Sequence, residues 1–212
     1  MQRKQRNLLI LGVLSCAIGI FAILGVIQTK TYLNTAATSQ DIKGPQEPLA
    51  SIGGAFQLVD KHGKIWKDTD FRGKPLLVYF GYSYCPDICP TALSHLTQAV
   101  ETLGGGKVIQ PVFITLDPER DTPENLRDYS QNFHKDLIML TGSKPQVEQA
   151  IKAYRVHAAR ATENKEAEDY LVDHSSLIYM MDKNGNYVAH FNHQTPPEEM
   201  VKRVRSHMES GA

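Results

Sequence analysis

Cys85 and Cys89 stand four residues apart where an apolar run, Val78-Tyr-Phe-Gly81, gives way to Cys85-Pro-Asp-Ile-Cys-Pro90 and then to a helical pattern. Pro90 belongs in a first helical turn, where its missing N–H goes unused and its fixed φ is already helical. A strand must therefore end, and a helix begin, around two thiols. On one helical face, residues four apart have Cα atoms roughly 6 Å apart. That lies inside the window of about 4.4–6.8 Å that a disulfide accepts. Two thiolates on one metal need sulfurs about 4 Å apart, given a metal–sulfur bond of about 2.3 Å. The same backbone thus serves either a soft metal or a reversible disulfide.

The thiols gain meaning from where the chain sends them. Leu8 to Ile27 is a run of 20 residues without a charge, about the length needed to span a hydrocarbon core of ~30 Å. Arg3, Lys4 and Arg6 precede it and only Lys30 follows closely, so residues 1–7 are expected in the cytoplasm, 8–27 as an uncleaved anchor, and the rest across the membrane. A signal peptide is the competing reading, but its apolar region usually runs about 7–15 residues and no tidy Ala-x-Ala site follows here. Cys16 lies inside the span and reads as a small apolar filler. The seven residues before the span offer no room for an Arg- and Ser-rich transit sequence, so a bacterial inner membrane with a periplasmic domain is the expectation. An exported Cys pair is oxidised unless something reduces it or a metal holds it.

Composition removes one large class. The chain has 212 residues, 42% hydrophobic and 22% charged, enough for one domain with a real core. Residues 1–30 hold four of the 23 Lys and Arg and no acid, which leaves 19 basic against 23 acidic residues and a charge of −4 beyond them. Nucleic acid would call for a basic stripe, so none is expected as a partner.

Residues 28–51, with Gly44-Pro45 and Pro48, lack apolar periodicity and read as a linker, placing the folded domain at 52–212. Lys61-His62-Gly63 turns a short hairpin at its entrance. Leu76 to Gly81 and Val108 to Leu116 read as strands buried on both faces. Between them Leu93, Leu96, Val100 and Leu103 recur at helical spacing until Gly104-Gly-Gly106 stops the run. Thr122-Pro123 opens a helix expected through about Phe133, and Leu137 to Leu140 is a third strand. Ser143 with Gln146 has capping-box spacing ahead of another helix. Leu177–Met181 and Tyr187–Phe191 form a hairpin around Asn184-Gly185, and Thr195 with Glu198 has capping-box spacing before a closing helix. His157 to Tyr170 reads as a solvated polar excursion. Strands alternating with helices and then a hairpin predict an α/β domain, a central mixed sheet covered on both faces. Thiols at its first strand-to-helix turn point to the thioredoxin-like class.

A third donor would separate metal work from redox work. His174, at the start of the penultimate strand, is the candidate, because open α/β sheets gather ligand groups at strand ends. An imidazole there can equally be a satisfied core histidine, and the local sequence leaves both readings open. Two thiolates and an imidazole suit Cu(I) and also accept Cu(II) or Zn(II), although zinc usually asks for four ligands. His190 and His193 are three apart on a strand end and point different ways. Gly104-Gly-Gly-Lys107 lacks the first Gly and the final Ser or Thr of a phosphate loop. Met180 reads as core, and Asp117 and Asp121 as turn and helix-start residues. Asp87 between the thiols works against the helix N-terminus in setting their pKa values.

Three stretches together resemble the Sco/SenC family of copper-binding assembly factors of cytochrome c oxidase: Tyr79 to Pro90, Phe113 to Thr122, and Val172-Asp-His-Ser175. Their order and approximate spacing are similar to the family's over about residues 53–206. The resemblance implies a thioredoxin-like fold in which Cys85, Cys89 and His174 bind copper. It implies a non-enzymatic role in building the binuclear copper site of oxidase subunit II, or of another cuproprotein, by delivery. Reduction of the subunit's own cysteines by the Cys85–Cys89 pair is the alternative. A peroxidase would lean on a Thr or Ser pattern before the reactive Cys that Ser83-Tyr84 does not supply.

Overall fold

The computed structural model describes residues 52–161 and 170–210. The expected cytoplasmic residues 1–7, the anchor at 8–27 and the linker at 28–51 lie outside the described residues. No helix among the described residues is long and apolar enough to cross a membrane.

The domain opens with the expected hairpin, β1 (Gln57–Asp60) and β2 (Ile65–Lys67). Asp60 closes it by accepting from the amides of His62 and Lys64 at 2.8 and 3.0 Å and from Trp66 Nε1 at 2.9 Å. β3 (Leu76–Gly81) follows, every residue buried. α1 (Ile88–Leu103) packs Leu93, Leu96 and Val100 under the sheet, each such burial contributing about 1.5–3 kcal/mol. It ends at Gly104, whose φ of 105° suits the left-handed cap that only glycine takes without strain.

β4 (Gln110–Thr115) runs parallel to β3, shorter at both ends than the expected Val108–Leu116. α2 (Pro123–Tyr129) is capped by Thr122, whose hydroxyl accepts from the Asn125 amide. It gives way to a 3-10 turn at Ser130–Asn132, and Phe133 is extended, so the helix stops short of the expected Phe133. β5 (Ile138–Thr141) runs parallel to β4. α3 (Lys144–Tyr154) begins at the expected capping box, with the Ser143 amide donating to Gln146 Oε1 at 2.9 Å.

The expected polar excursion is corrected in part. Ala158–Arg160 is a strand, β6, pairing antiparallel with β7 (Val172–His174), and Ala158 lies opposite His174. Ala-Ala-Arg carries no strand propensity, and its partner lies beyond a polar stretch, so only tertiary pairing reveals it. β8 (Leu177–Met181) and β9 (Tyr187–Asn192) form the last hairpin. α4 (Pro197–Glu209) closes the chain, but Thr195 does not cap it. Pro196 holds that position, and the Thr195 hydroxyl bonds Asn192 Oδ1 at 3.3 Å instead.

The main sheet runs β2-β1-β5-β4-β3-β8-β9, and the β6–β7 ribbon forms a separate two-stranded sheet. α1 and α4 bury Leu96, Met200 and Val204 on one face with Leu77 and Phe113. On the other face, α3 buries Val147, Ala150 and Tyr154 against Val78, Phe80 and Ile114. This is the expected thioredoxin-like α/β arrangement, a mixed sheet with helices on both faces. Gly81 pairs with Thr115 at the C-terminal ends of two parallel strands, and β8 starts beside them. The loops carrying Cys85, Asp117 and His174 therefore leave the sheet at one edge.

Candidate metal centre

Cys89 is the second residue of α1, whereas Cys85 precedes the helix in a turn closed by its own amide, which donates to Tyr82 O at 3.3 Å. The two thiols therefore do not share a helical face. Cys85 instead caps the helix with sulfur, its Sγ accepting from the Cys89 amide at 3.4 Å. Both thiols are free, Cys89 fully buried and Cys85 8% exposed.

His174, half-buried at the end of β7, reaches them from the opposite side. Its Nε2 lies 3.6 Å from Cys89 Sγ. Its Nδ1 lies 3.3 Å from Ser175 O, and a carbonyl only accepts, so that contact places the ring proton on Nδ1 and leaves the Nε2 lone pair facing the sulfurs. Edge-on packing against Tyr82, with centroids 5.9 Å apart, and against Tyr79 at 6.4 Å fixes the ring plane. The three donor atoms lie within 4.8 Å of one another. Donors around one metal stand roughly 3.5–4 Å apart, so the set closes on an ion with small side-chain shifts. No fourth Cys, His, Asp or Glu joins it among the described residues, and two sulfurs with one imidazole are the soft, three-coordinate set that copper accepts.

The pair has opposite acidities. A hydrogen bond from the Cys89 thiol pulls the Cys85 pKa down against its burial, aided by the amides of Cys89 and Asp87. Donating that proton, and then burial, push Cys89 up. Asp87 is exposed and contributes its backbone N–H, so the helix N-terminus prevails at Cys85. Tyr79, fully buried, donates its hydroxyl to Cys89 Sγ at 3.5 Å. The reduced site thus holds a thiolate near the surface and a thiol beneath it.

The loop that supports these groups lies within the Phe113 to Thr122 stretch, whose acids the sequence presented only as turn and helix-start residues. Asp121, fully buried, accepts from the Ser83 amide at 3.1 Å, from the Ser83 hydroxyl, and from Thr115 Oγ1 at 2.6 Å. It ties the Cys-bearing loop to the end of β4. Asp117 accepts from Arg120 Nε at 2.5 Å and from the Tyr170 hydroxyl at 2.7 Å, which ties in the chain entering β7. Both acids do more than the turn-stabilising work expected of them. Met180 is fully buried in the core, as expected. His190 bonds the Tyr187 hydroxyl at 2.5 Å, and neither it nor His193 joins the donor cluster.

Known proteins share this arrangement of chain. The SCO1/SenC family matches residues 44–209. The chain belongs to the SCO1/SenC family. Within it, a SCO2-like protein of Rickettsia prowazekii is 39% identical over 206 residues, covering 96% of this chain and 99% of the relative. The structure of Bradyrhizobium japonicum ScoI with copper bound is 38% identical and superposes with a TM-score of 0.68, covering 74% of this chain and 99% of that one. BsSco, described as a member of the Sco family of cytochrome c oxidase assembly proteins and the subject of an identified disulfide switch, is 25% identical with a TM-score of 0.59, covering 76% of this chain and 95% of its own.

Proposed function

We propose that this chain is a copper metallochaperone, not an enzyme, that carries copper on Cys85, Cys89 and His174 and supplies it to the binuclear copper site of cytochrome c oxidase subunit II. The convergence of two sulfurs and a free Nε2 within 4.8 Å carries the reading. A family relative whose structure holds bound copper supports it. Copper is the cargo. Cys85, the outer of the two sulfurs, is the thiolate a recipient ligand would displace first, and Cys89 with His174 would hold the ion during exchange. The charge bias of Arg3, Lys4 and Arg6 ahead of residues 8–27 supports a single-pass anchor with the domain outside a bacterial inner membrane.

The opposed acidities of the thiols favour a second reading, reduction of the recipient's own disulfide. Cys85 thiolate would attack one target sulfur, expelling the other as a thiolate. Cys89, losing its proton, would then attack the mixed disulfide, leaving Cys85–Cys89 oxidised and the target reduced.

The deciding experiment titrates the reduced full chain in detergent with Cu(I) against a chelator of known affinity, beside His174→Ala. One equivalent bound, and weakened at least about 100-fold by the substitution, supports the chaperone reading. Binding indifferent to His174 overturns it in favour of thiol exchange.

A further inference from the structure

The β6–β7 ribbon that carries His174 makes no ladder with the main sheet. The backbone–backbone bonds flanking its ladder, from Ala161 N to Leu171 O and from Ser175 N to His157 O, are internal to it. Tyr79 and Tyr82 set the plane of the imidazole, but the strand that bears it needs its own tether to the thiol-bearing loop. Ala158 and Val172 pack against the core beneath α3, which seats the ribbon without orienting it. Besides the Val172 amide, which donates to the Tyr82 hydroxyl, directional contacts concentrate on Tyr170, four residues before His174.

The Tyr170 ring lies between two guanidinium groups, with Arg120 Cζ 3.6 Å and Arg160 Cζ 3.5 Å from its centroid. Arg120 also donates from its terminal nitrogen to Tyr170 O at 3.0 Å and from Nε to Asp117 at 2.5 Å, while the Tyr170 hydroxyl returns to the same carboxylate at 2.7 Å. The other side of Arg120 faces the Cys-bearing loop. Its Cζ is 4.7 Å from the Tyr84 ring and 5.8 Å from Tyr82. Tyr84 adjoins Cys85, and Tyr82 touches the His174 ring. One planar side chain with five donors thus spans the gap between the segment that supplies sulfur and the segment that supplies nitrogen. A lysine, a point charge on a flexible stem, cannot stack and fork in this way.

We propose that Arg120 is a positioning residue of the metal centre, clamping the His174 ribbon onto the Cys85–Cys89 loop through its stack on Tyr170. The clamp rests on the copper-site reading for its purpose but not for its existence, because its contacts are made between protein groups alone. It makes the donor set preformed, so that His174 need not be recruited when an ion arrives. Loss of Arg120 frees the ribbon while leaving the thiols and the core strands in place.

The test compares the full chain, reduced, with Arg120→Lys, Arg120→Leu and Tyr170→Leu, the last removing the stacked ring while keeping the arginine. In the metal-free protein, all three are expected to shift the His174 imidazole resonances and speed amide exchange at Val172–His174, with exchange in β3 and β4 unchanged. Cu(I) binding should weaken about 10- to 100-fold, the usual loss when partners orienting a ligand are removed. Adding His174→Ala to Arg120→Leu should weaken it no further than His174→Ala alone. Unmoved His174 resonances, or losses that multiply in the double variant, overturn the clamp. If His174→Ala leaves copper binding of the parent unchanged, the copper reading has failed, and the metal-free resonances alone then decide for or against the clamp.

Discussion

A Cβ placed on Gly81 would stand 2.8 Å from Cys89 Sγ and 2.9 Å from the Tyr79 ring. The deeper thiol therefore sits in the space a side chain at the end of β3 would fill. Backbone conformation is not the reason, since Gly81 is not among the residues with positive φ. Its missing side chain lets a helix starting at Ile88 bring sulfur against the strand.

Gly81→Ala is accordingly expected to push Cys89 away from Tyr79 and His174. Overpacking of this kind costs about 1–3 kcal/mol, readable by thermal unfolding. Copper affinity should fall at least about tenfold by competition titration. Parent-like affinity with intact stability would show that the site tolerates a displaced Cys89.

Tyr79→Phe removes a side-chain hydroxyl bonded to Cys89 while keeping the ring. That bond exists to the reduced sulfur, so its loss disfavours the dithiol relative to the disulfide. A hydrogen bond contributes about 0.5–1.5 kcal/mol net, and about 30 mV corresponds to 1.4 kcal/mol in a two-electron couple. Equilibration with glutathione should place the variant about 10–30 mV more negative. An unchanged or more positive potential would remove Tyr79 from the redox balance.

The depressed Cys85 and elevated Cys89 acidities predict an asymmetric response to pH. Iodoacetamide should modify Cys85 at nearly constant rate across neutral and mildly acid pH, whereas an ordinary thiol slows tenfold per unit below about 8.5. Peptide mapping after brief labelling at pH 6 should find the label on Cys85 and not Cys89. The linkage has a matching sign. The folded pKa of Cys85 is lowered, so its contribution to the stability of the reduced protein is present above the unfolded value of about 8.5 and is lost as pH falls through the folded value. Urea titrations of the reduced protein against Cys85→Ala should show that difference shrinking toward acid pH.

How much of this was legible in the sequence depends on whether a feature is local. Two buried strands declared themselves as unbroken apolar runs, and Leu93, Leu96 and Val100 declared a helix by spacing. The thiols and His174 were found because a few residue types carry soft-metal chemistry. Cys85 was misplaced onto the helix because spacing alone cannot say where the first turn begins. β6 stayed hidden because Ala158–Arg160 becomes a strand only through pairing with β7. Thr195 showed a capping pattern that Asn192 diverted, a side-chain contest the pattern does not encode. Asp121 and Arg120 looked like ordinary loop residues, since the partners that reveal their roles, Ser83 and Tyr170, lie 38 and 50 residues away.

Asp121 offers the sharpest separation of folding from site geometry. Burial raises its pKa, and hydrogen bonds from Ser83 and Thr115 pull it back only in part. A raised folded value means that its contribution is fully present below the unfolded value of about 3.9 and is lost as pH rises through the folded value. Asp121→Asn carries no such penalty, so its stability relative to the parent should increase across that interval, measured by urea unfolding from pH 3 upward. Its amide cannot accept from all the donors that the carboxylate satisfies, and Ser83 should loosen. Asp121→Ala goes further and leaves the Ser83 amide without its partner, a loss of about 1–3 kcal/mol. Both variants should therefore bind copper more weakly than the parent, the alanine more so, even at a pH where the asparagine protein is the more stable. Copper affinity that simply follows stability would mean that Asp121 serves the fold and not the placement of Cys85.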